Sequence, residues 1–319
     1  MKFVERVNII LCTYNGEKYL RVLLDSLLAQ TYKNIAVYIR DDNSKDSTPQ
    51  ILREYEAKTN DGVSIHVIRD ELGNLGYVRN FIQTIRASGD ADYYAFCDQD
   101  DYWLPDKIAN AVEMMRQRPA DKCLLYSCAY EARNDELKFV SAGHIPTPIE
   151  KLDVGKSLSL YDGGWLLGFT LVINRTLKEK AFHNDVEKMY SHDIWVQAVA
   201  VGFGGELIYD PRVGAYFRRH ESATSVAESG IEKTHLSEWI YRFQEFFGGK
   251  LFSQLKSGMV SYARLFSDQM ENVKDRKFLE AFGGECGKHR LKKLFYPYRL
   301  KQGFAVECAW RLAILMGKV

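Results

Sequence analysis

Paired cysteines are what this 319-residue sequence most plainly lacks: the six present (Cys12, Cys97, Cys123, Cys128, Cys286, Cys308) include no Cys-x-x-Cys. Several stand in apolar runs where a free thiol packs as a small hydrophobe, so a reducing, cytoplasmic compartment is expected. An excess of charge is missing too. With 43 basic residues against 42 acidic and a net +1, no global field points to nucleic acid as a partner. No run of 18 uncharged apolar residues occurs, and the opening MKFVERVNIILCTYNG has neither the long apolar core nor the small-residue cleavage site of a signal peptide. Neither a membrane span nor secretion by that route is expected. The first turn, TYNGEKY, has no Gly-x-Gly-x-x-Gly and no Gly-Lys-Ser/Thr, which disfavours dinucleotide binding and P-loop chemistry and leaves another phosphate ligand. Asn174-Arg175-Thr176 has the form of a glycosylation sequon, which in a cytosolic chain reads as chance.

Hydrophobic residues make up 46% of the chain, enough for a substantial core in one large domain or a domain with a helical addition. The most informative stretch is 93–106, YYAFCDQDDYWLPD. Tyr93 to Cys97 has the length and aromatic content of a buried strand, and it runs straight into Asp98, Asp100 and Asp101. Like charges this close repel, and burial aggravates the repulsion, so the cluster requires a cation or a set of donors. A solvated acidic turn capping the helix that Pro105 begins is the plainer alternative. Against it, Tyr102, Trp103 and Leu104 surround the carboxylates with large apolar groups.

Strands alternate with helices through the first half. Val7 to Leu11 is a strand-like run ending at Cys12-Thr13-Tyr14-Asn15-Gly16, and Leu20, Leu23, Leu24, Leu27 and Leu28 then show the spacing of an amphipathic helix. Ile35 to Ile39 ends at Arg40-Asp41-Asp42-Asn43-Ser44, and Thr48-Pro49 offers an N-cap and first-turn proline for a helix through Tyr55. Ser64 to Ile68, a turn at Asn74 and Gly76, and a helix marked by Val78, Phe81, Ile82 and Ile85 precede the strand Tyr93 to Cys97. This order predicts right-handed crossovers and a mainly parallel sheet with helices on both faces, whose ligands bind beyond the carboxyl ends of the strands. Thr13 to Asn15, Asp41 to Asn43 and Asp98 to Asp101 all fall at those ends and should share one sheet edge.

Beyond Pro105 a helix carries Ile108, Ala111, Val112 and Met115, and Leu124 to Tyr130 reads as a fifth strand. The alternation lapses over 131–160. Gly163-Gly164-Trp165-Leu166-Leu167-Gly168 leads into a β-rich run, Phe169 to Ile173, its glycines fitting either close approach of a ligand or a bulge. Ser191 can cap a helix through Val201 with His192 and Asp193 in its first turn, where an acid often only complements the helix dipole. Short strands at Glu206 to Tyr209 and Val213 to Phe217 lead to Arg218-Arg219-His220, cationic and metal-capable. Residues 232–285 look helical, with Trp239, Tyr241, Phe243, Phe246 and Phe247 as packing aromatics. From Cys286 onward eight Lys or Arg stand against one acid, Glu307, a local +7 interleaved with Leu291, Leu294, Phe295, Tyr296 and Tyr298 and followed by Phe304 to Met316. An amphipathic segment lying on an anionic membrane, a solvated tail and a dimer contact all fit that composition.

Taken together, CTYNG after the first strand, RDDNSKDST after the second, DQDD with Pro105 beyond it and the later His192-Asp193 resemble the family 2 glycosyltransferases. The resemblance spans about residues 5–222 and implies the GT-A fold: Rossmann-like α/β, a mainly parallel sheet with helices on both faces, here with a C-terminal helical extension. It implies a catalytic domain over 1–225, with a nucleotide-sugar half of about 1–120 and an acceptor half of about 121–225; the helical region with a basic tail over 226–319 lies beyond the motifs and is read from its residues alone. CDQDDYW, and SHDIW followed by RRHES, look most similar to bacterial enzymes that add L-rhamnose or a hexose, from dTDP- or UDP-sugars, to growing surface polysaccharides, usually on lipid-linked acceptors.

By this resemblance Cys12, Thr13, Tyr14, Asn15 and Asp42 match positions that hold the donor's base and ribose, with Asp41 packing beside them. Asp98 and Asp100 match the Asp-x-Asp motif, Asp100 as direct ligand of Mn²⁺ or Mg²⁺ and Asp98 acting on the ribose or through water. Asp193 matches the catalytic base of inverting members; His192 stands where many members have Glu. His220 matches a histidine that approaches the metal or diphosphate in some relatives, and Arg218 or Arg219 would pair with phosphate. The chemistry needs these types: a hard cation stabilises negative charge on the leaving diphosphate, and a carboxylate on the opposite side of the sugar takes the acceptor hydroxyl's proton. A metal-dependent phosphohydrolase or nucleotidyltransferase, which would want a second carboxylate set, and a non-catalytic nucleotide-sugar binding protein are the rival readings.

Overall fold

The computed structural model describes residues 4–58, 62–143, 153–158, 166–183, 186, 189–220, 250–284, 290–298 and 304–316. The chain divides into two compact units, one of residues 1–145, 166–183 and 204–220, the other of 146–165, 184–203 and 221–319. The boundary expected at 225, the glycines Gly163 and Gly164 with Trp165, and the aromatics Trp239 to Phe247 lie outside the described residues.

In the first unit β1 (Val7–Thr13), β2 (Ile35–Asp41), β3 (Val63–Ile68) and β4 (Tyr93–Cys97) pair in parallel in the order β3-β2-β1-β4. β1, β2 and β4 read as near-continuous apolar runs because both faces are covered, whereas β3, at the sheet's edge, alternates, with Ser64 and His66 exposed. On one face Val7, Ile9 and Leu11 join a core with Leu20, Leu23, Leu24 and Leu27 of α1 (Leu20–Leu28), Ile51 and Tyr55 of α2 (Thr48–Glu56) and Ile108 and Met115 of α4 (Lys107–Met115). On the other, Phe96 meets Phe81 of α3 (Tyr77–Ala87) with ring centroids 6.2 Å apart, and Asn8 Nδ2 donates to Ser88 O at 2.7 Å. Four of the five α1 leucines, Leu20, Leu23, Leu24 and Leu27, are wholly buried, each contributing about 1.5–3 kcal/mol of transfer free energy.

The sheet then changes direction. β8 (Leu171–Asn174) lies antiparallel between β4 and β6 (Leu124–Arg133), and β6 runs parallel to β9 (Glu206–Arg218). Two short pieces complete it: β5 (Tyr102–Trp103) against β9 and β7 (Phe139–Ala142) against β6, both antiparallel. β9 is one strand where two were expected, because its residues Asp210 to Arg212 are accommodated by a register shift against Cys128 and Ala129 rather than by a break. The run expected from Phe169 begins with a turn of 3₁₀ helix, and β8 leads directly into α6 (Arg175–Ala181), a helix without a clear sequence signal. Asn174 caps it: Oδ1 accepts from Leu177 N (3.1 Å) and Leu124 N (3.0 Å), and Nδ2 donates to Lys122 O (2.7 Å). Its amide is buried and engaged, which removes it as a glycosylation acceptor. Pro105 precedes α4 instead of starting it, and Asp46, not Thr48, accepts from the first-turn N–H of α2, at Thr48 N (2.9 Å).

The second unit is helical where described: α5 (Val154–Leu158), α7 (His192–Gly202), α8 (Lys250–Phe266), α9 (Val273–Phe282), α10 (Arg290–Leu294) and α11 (Phe304–Leu315). Trp195 of α7 packs on Tyr262 and Phe266 of α8 with centroids 5.5 and 5.9 Å away, and Tyr262 Oη donates to Ala198 O at 2.9 Å. Among the described residues no helix is long and apolar enough to cross a membrane.

Candidate active site

Three parallel strands end side by side. β1 and β2 pair Thr13 with Asp41, and β1 and β4 pair Leu11 with Cys97, so the loops at 13–16, 41–47 and 98–101 leave one edge together. Their shape is set by side chains bonding to backbone. Asp41 accepts from Thr13 Oγ1 (2.9 Å), Ser44 N (2.9 Å) and Ser44 Oγ (2.5 Å), while Ser44 Oγ accepts from Asn15 N at 2.8 Å. Asn15 and Asn43 hold φ of 48° and 67°, left-handed values that asparagine tolerates better than most residues. Tyr14 is exposed; Cys12 Sγ lies 3.3 Å from Thr84 Oγ1, and burial pushes its thiol far up, so it packs and does not attack.

Asp42 is buried and its carboxylate is held from three sides: Arg40 Nη1 (2.9 Å) and Leu75 N (2.7 Å) donate to Oδ1, Gly76 N (2.8 Å) to Oδ2. Arg40 in turn makes a two-point pair with Asp70, at 2.8 and 2.9 Å. Asp42 thereby fastens the Gly73–Gly76 turn beside the first two loops, a contact the sequence showed only as a turn.

The register of β5 against β9, Tyr102 opposite Tyr216, brings Arg218 and His220 to Asp100. His220 Nε2 lies 2.9 Å from Asp100 Oδ2, and Arg218 Nε donates to Asp100 O at 3.0 Å. Tyr19 supports both, its ring centroid 4.6 Å from the His220 ring and 4.8 Å from the Arg218 guanidinium carbon. Arg218 is buried, donates through Nε and Nη1 to the carbonyls of Asp100 and Asp135 (2.5 Å), and has its pKa lowered by burial, so it braces Asp100, while its Nη2 has no hydrogen-bond partner among the described residues. Arg219 is exposed and lines a cavity of about 580 Å³ with Tyr130, Ser141, Gly143 and Phe217.

Gln99, the spacer of DQDD, clamps the first loop. Tyr14 N donates to Gln99 Oε1 (2.9 Å) and Gln99 Nε2 to Tyr14 O (3.0 Å). A Cβ at Gly16 would come within 2.4 Å of Gln99 Oε1, so a larger residue there would push the Gln99 side chain out of this clamp. Tyr19, Gln99 and Asp135 join regions 80 to 200 residues apart, contacts that no local periodicity encodes.

Asp101 is 1% exposed, and neither carboxylate oxygen has a hydrogen-bond partner among the described residues. Burial, then the charges of Asp100 and Asp98, push its pKa well above the carboxylate range. Nearby Lys107 is also buried, bonded to Phe169 O and lying 3.1 Å from the centroid of the Trp103 ring, its pKa pulled down to about 8 by burial. Among the described residues no set of three or more His, Cys, Asp or Glu could hold a metal ion alone. Asp100 and His220, beside the unsatisfied Asp101 in the sequence, are nevertheless residues that would hold a divalent cation, through a carboxylate oxygen and an imidazole nitrogen.

Asp193 belongs to the second unit, at the start of α7. Ser191 stands at the N-cap as expected, but its hydroxyl makes no cap hydrogen bond and donates instead to Asp193 Oδ1, which also accepts from Ile194 N at 2.8 Å. Two donors therefore orient this carboxylate. His192 is fully buried with its pKa pulled down to about 4 by burial, a neutral imidazole packed in the unit.

Residues 8–170, just over half the chain, match the sequence profile of glycosyl transferase family 2. An uncharacterised glycosyltransferase of Rickettsia typhi is 30% identical over 225 residues, 69% of this chain and 65% of that protein, so the chain spans less than two thirds of this relative's length. The glucosyltransferase WfaP of Escherichia coli, UDP-Glc:alpha-D-GlcNAc-diphosphoundecaprenol beta-1,3-glucosyltransferase, is 29% identical over 70% of this chain and 80% of its own. The dTDP-rhamnosyl transferase RfbG of Shigella flexneri is 34% identical over 33% of this chain and 36% of its own. Among solved structures the mannosyltransferase PcManGT of Pyrobaculum calidifontis, in complex with GDP-Man and Mn²⁺, superposes with a TM-score of 0.56 at 18% identity, covering 100% of this chain and 77% of its own, which identifies the fold as GT-A. The strand-end loops, the DQDD stretch and the profile match agree: the chain belongs to glycosyl transferase family 2.

Proposed function

We propose that the chain is an inverting, metal-dependent glycosyltransferase that moves a sugar from a pyrimidine nucleotide donor to a hydroxyl of a lipid-linked saccharide, in the cytoplasm at the inner face of a bacterial membrane, during surface polysaccharide synthesis. The observation that carries this reading is the convergence of Asp100 Oδ2 and His220 Nε2 at 2.9 Å, at the edge where the Thr13, Asp41 and Asp98 loops meet. Thr13 to Asn15 and the Asp41–Asp42 pair, with Cys12 packing behind, cradle base and ribose; Asp98 meets the ribose side; Arg219 meets the diphosphate. Asp100 and His220 are the residues that would hold Mn²⁺ or Mg²⁺, which when bound supplies a Lewis acid for the leaving diphosphate. Arg218 fixes the Asp100 backbone, so the carboxylate is in place before the donor arrives. Asp193, oriented by Ser191 and Ile194 N, takes the proton of the acceptor hydroxyl as it attacks, and a single displacement inverts the anomeric centre.

The motifs put L-rhamnose first and a hexose second; the order is reversed here, since the likeness to WfaP covers 80% of that enzyme and the likeness to RfbG 36%. Release of UDP from UDP-glucose, or of dTDP from dTDP-rhamnose, is measured with and without a diphosphate-linked saccharide acceptor. Acceptor-dependent release supports the reading. Equal release without acceptor would make the protein a hydrolase, and donor binding without release under any condition would make it a binding protein.

A further inference from the structure

Helix α11 has two different faces. Glu307, Trp310 and Ile314 follow one stripe and are 7%, 1% and 0% exposed. Beside them Arg311 locks the helix to the chain after α10, donating to Glu307 Oε1 (2.8 Å) and to the carbonyls of Leu294, Tyr296 (2.8 Å) and Tyr298 (3.3 Å). With that seam fixed, the opposite stripe is fixed too. Phe304, Cys308, Leu312 and Leu315 fall at i, i+4, i+8 and i+11, and Phe304, Leu312 and Leu315 are 70%, 47% and 50% exposed. Leu291 of α10 and Phe295, one turn later, are 69% and 74% exposed, with exposed Lys292 beside Leu291.

A single exposed leucine needs no explanation, but with Met316 these make six large apolar side chains laid open between residues 291 and 316. The charge on the same segment narrows what covers them. Residues 286–319 carry eight Lys or Arg against one Glu, a net +7 where the whole chain is +1; Lys293 is buried and Arg311 is tied up in the seam, while Lys292 is exposed beside the apolar residues. Two copies meeting through this segment would bring equal charges together, which opposes self-association. A sheet of anionic headgroups is attracted by that charge, and its acyl boundary accepts phenylalanine and leucine. The twelve residues of α11 are too few to cross a bilayer, so the helix would lie along its surface.

We infer that Leu291, Phe295, Phe304, Leu312 and Leu315 form a docking face for an anionic membrane. This deepens the membrane placement in the proposed function and rests on it. The full-length chain is sedimented with vesicles of phosphatidylcholine alone or mixed with phosphatidylglycerol, at low and high salt. It should pellet with the mixed vesicles at low salt and be released by high salt. Lys292→Glu should weaken binding by well over the roughly fivefold expected from loss of one cation. Phe295→Ser and Phe304→Ser, on separate helical segments and both exposed, should each lower partition about tenfold while leaving the melting temperature and UDP binding unchanged. Wild-type protein remaining in the supernatant would overturn the membrane placement and the face together. Wild-type pelleting that neither serine variant reduces would overturn the face alone. A dimer in solution that these variants convert to monomer would assign the face to a second copy and also overturn the inference. UDP-sugar turnover, followed separately with a soluble acceptor, tests the enzymatic reading independently of all three.

Discussion

At the scale of single residues, the two carboxylates with proposed roles sit in contrasting settings, and their variants should fail differently. Asp100 meets His220 and has its backbone held by Arg218, so Asp100→Ala should abolish Mn²⁺-dependent UDP binding while the far-UV spectrum stays native. Calorimetric titration of UDP with and without Mn²⁺ checks this, and unchanged metal-dependent affinity would remove Asp100 from the site. Asp193 accepts from Ser191 and Ile194 N, a geometry that also fits a helix-start carboxylate worth on the order of 1 kcal/mol to stability and nothing to rate. As a base it should be worth about a hundredfold or more in kcat, so Asp193→Asn should bind UDP normally and turn over slowly. Near-normal turnover would leave only the stabilising role. Asp98, Asp100 and Asp101 could be picked out from sequence as a cluster needing compensation; that Asp101 is the buried one could not, because its burial depends on β9 arriving from more than 110 residues away.

At the scale of elements, β1 to β4 and their helices were legible because β1, β2 and β4 are near-continuous apolar runs, β3 alternates as a half-exposed edge strand does, and each helix keeps its apolar spacing. The sheet's later half was not. β5 is two residues long and β7 has three exposed positions, so neither carries a pattern, and the β9 irregularity is absorbed by pairing with β6. Expected caps failed where another acceptor was better placed, as Asp46 was for Thr48 N. The second unit offers a pH test of one such tie. Asp275 of α9 accepts from Val154 N of α5 at 3.1 Å, and burial raises its pKa from 3.8 to about 6. Between those values the folded state holds the proton more tightly than the unfolded chain, so stability falls as pH rises through the window and stays lowered above it. Asp275→Asn keeps an acceptor for Val154 N without the ionisation. It should stabilise the protein by about 3 kcal/mol at neutral pH and by nearly nothing near the unfolded pKa. Urea unfolding at the two pH values measures the difference, and an equal effect at both would show that the buried carboxylate is not what titrates.

At the scale of the whole molecule, the residues proposed for donor and metal all belong to the first unit and the proposed base to the second, a division that runs through the chain several times. Binding and proton removal should therefore separate in variants although the sequence interleaves them. UDP with Mn²⁺ should stabilise the native first unit, by about 2.7 kcal/mol at a hundred times its Kd, because the unfolded chain presents no joined strand ends to bind it. Asp193→Asn should keep this stabilisation in full, Asp100→Ala should lose it, and UDP without metal should give far less of it in either background. Thermal unfolding followed with each addition reads all of this in one series. If Asp193→Asn lost the UDP shift along with its turnover, the carboxylate would be maintaining the donor site and not the chemistry, and the proposed separation of binding from proton removal would fail.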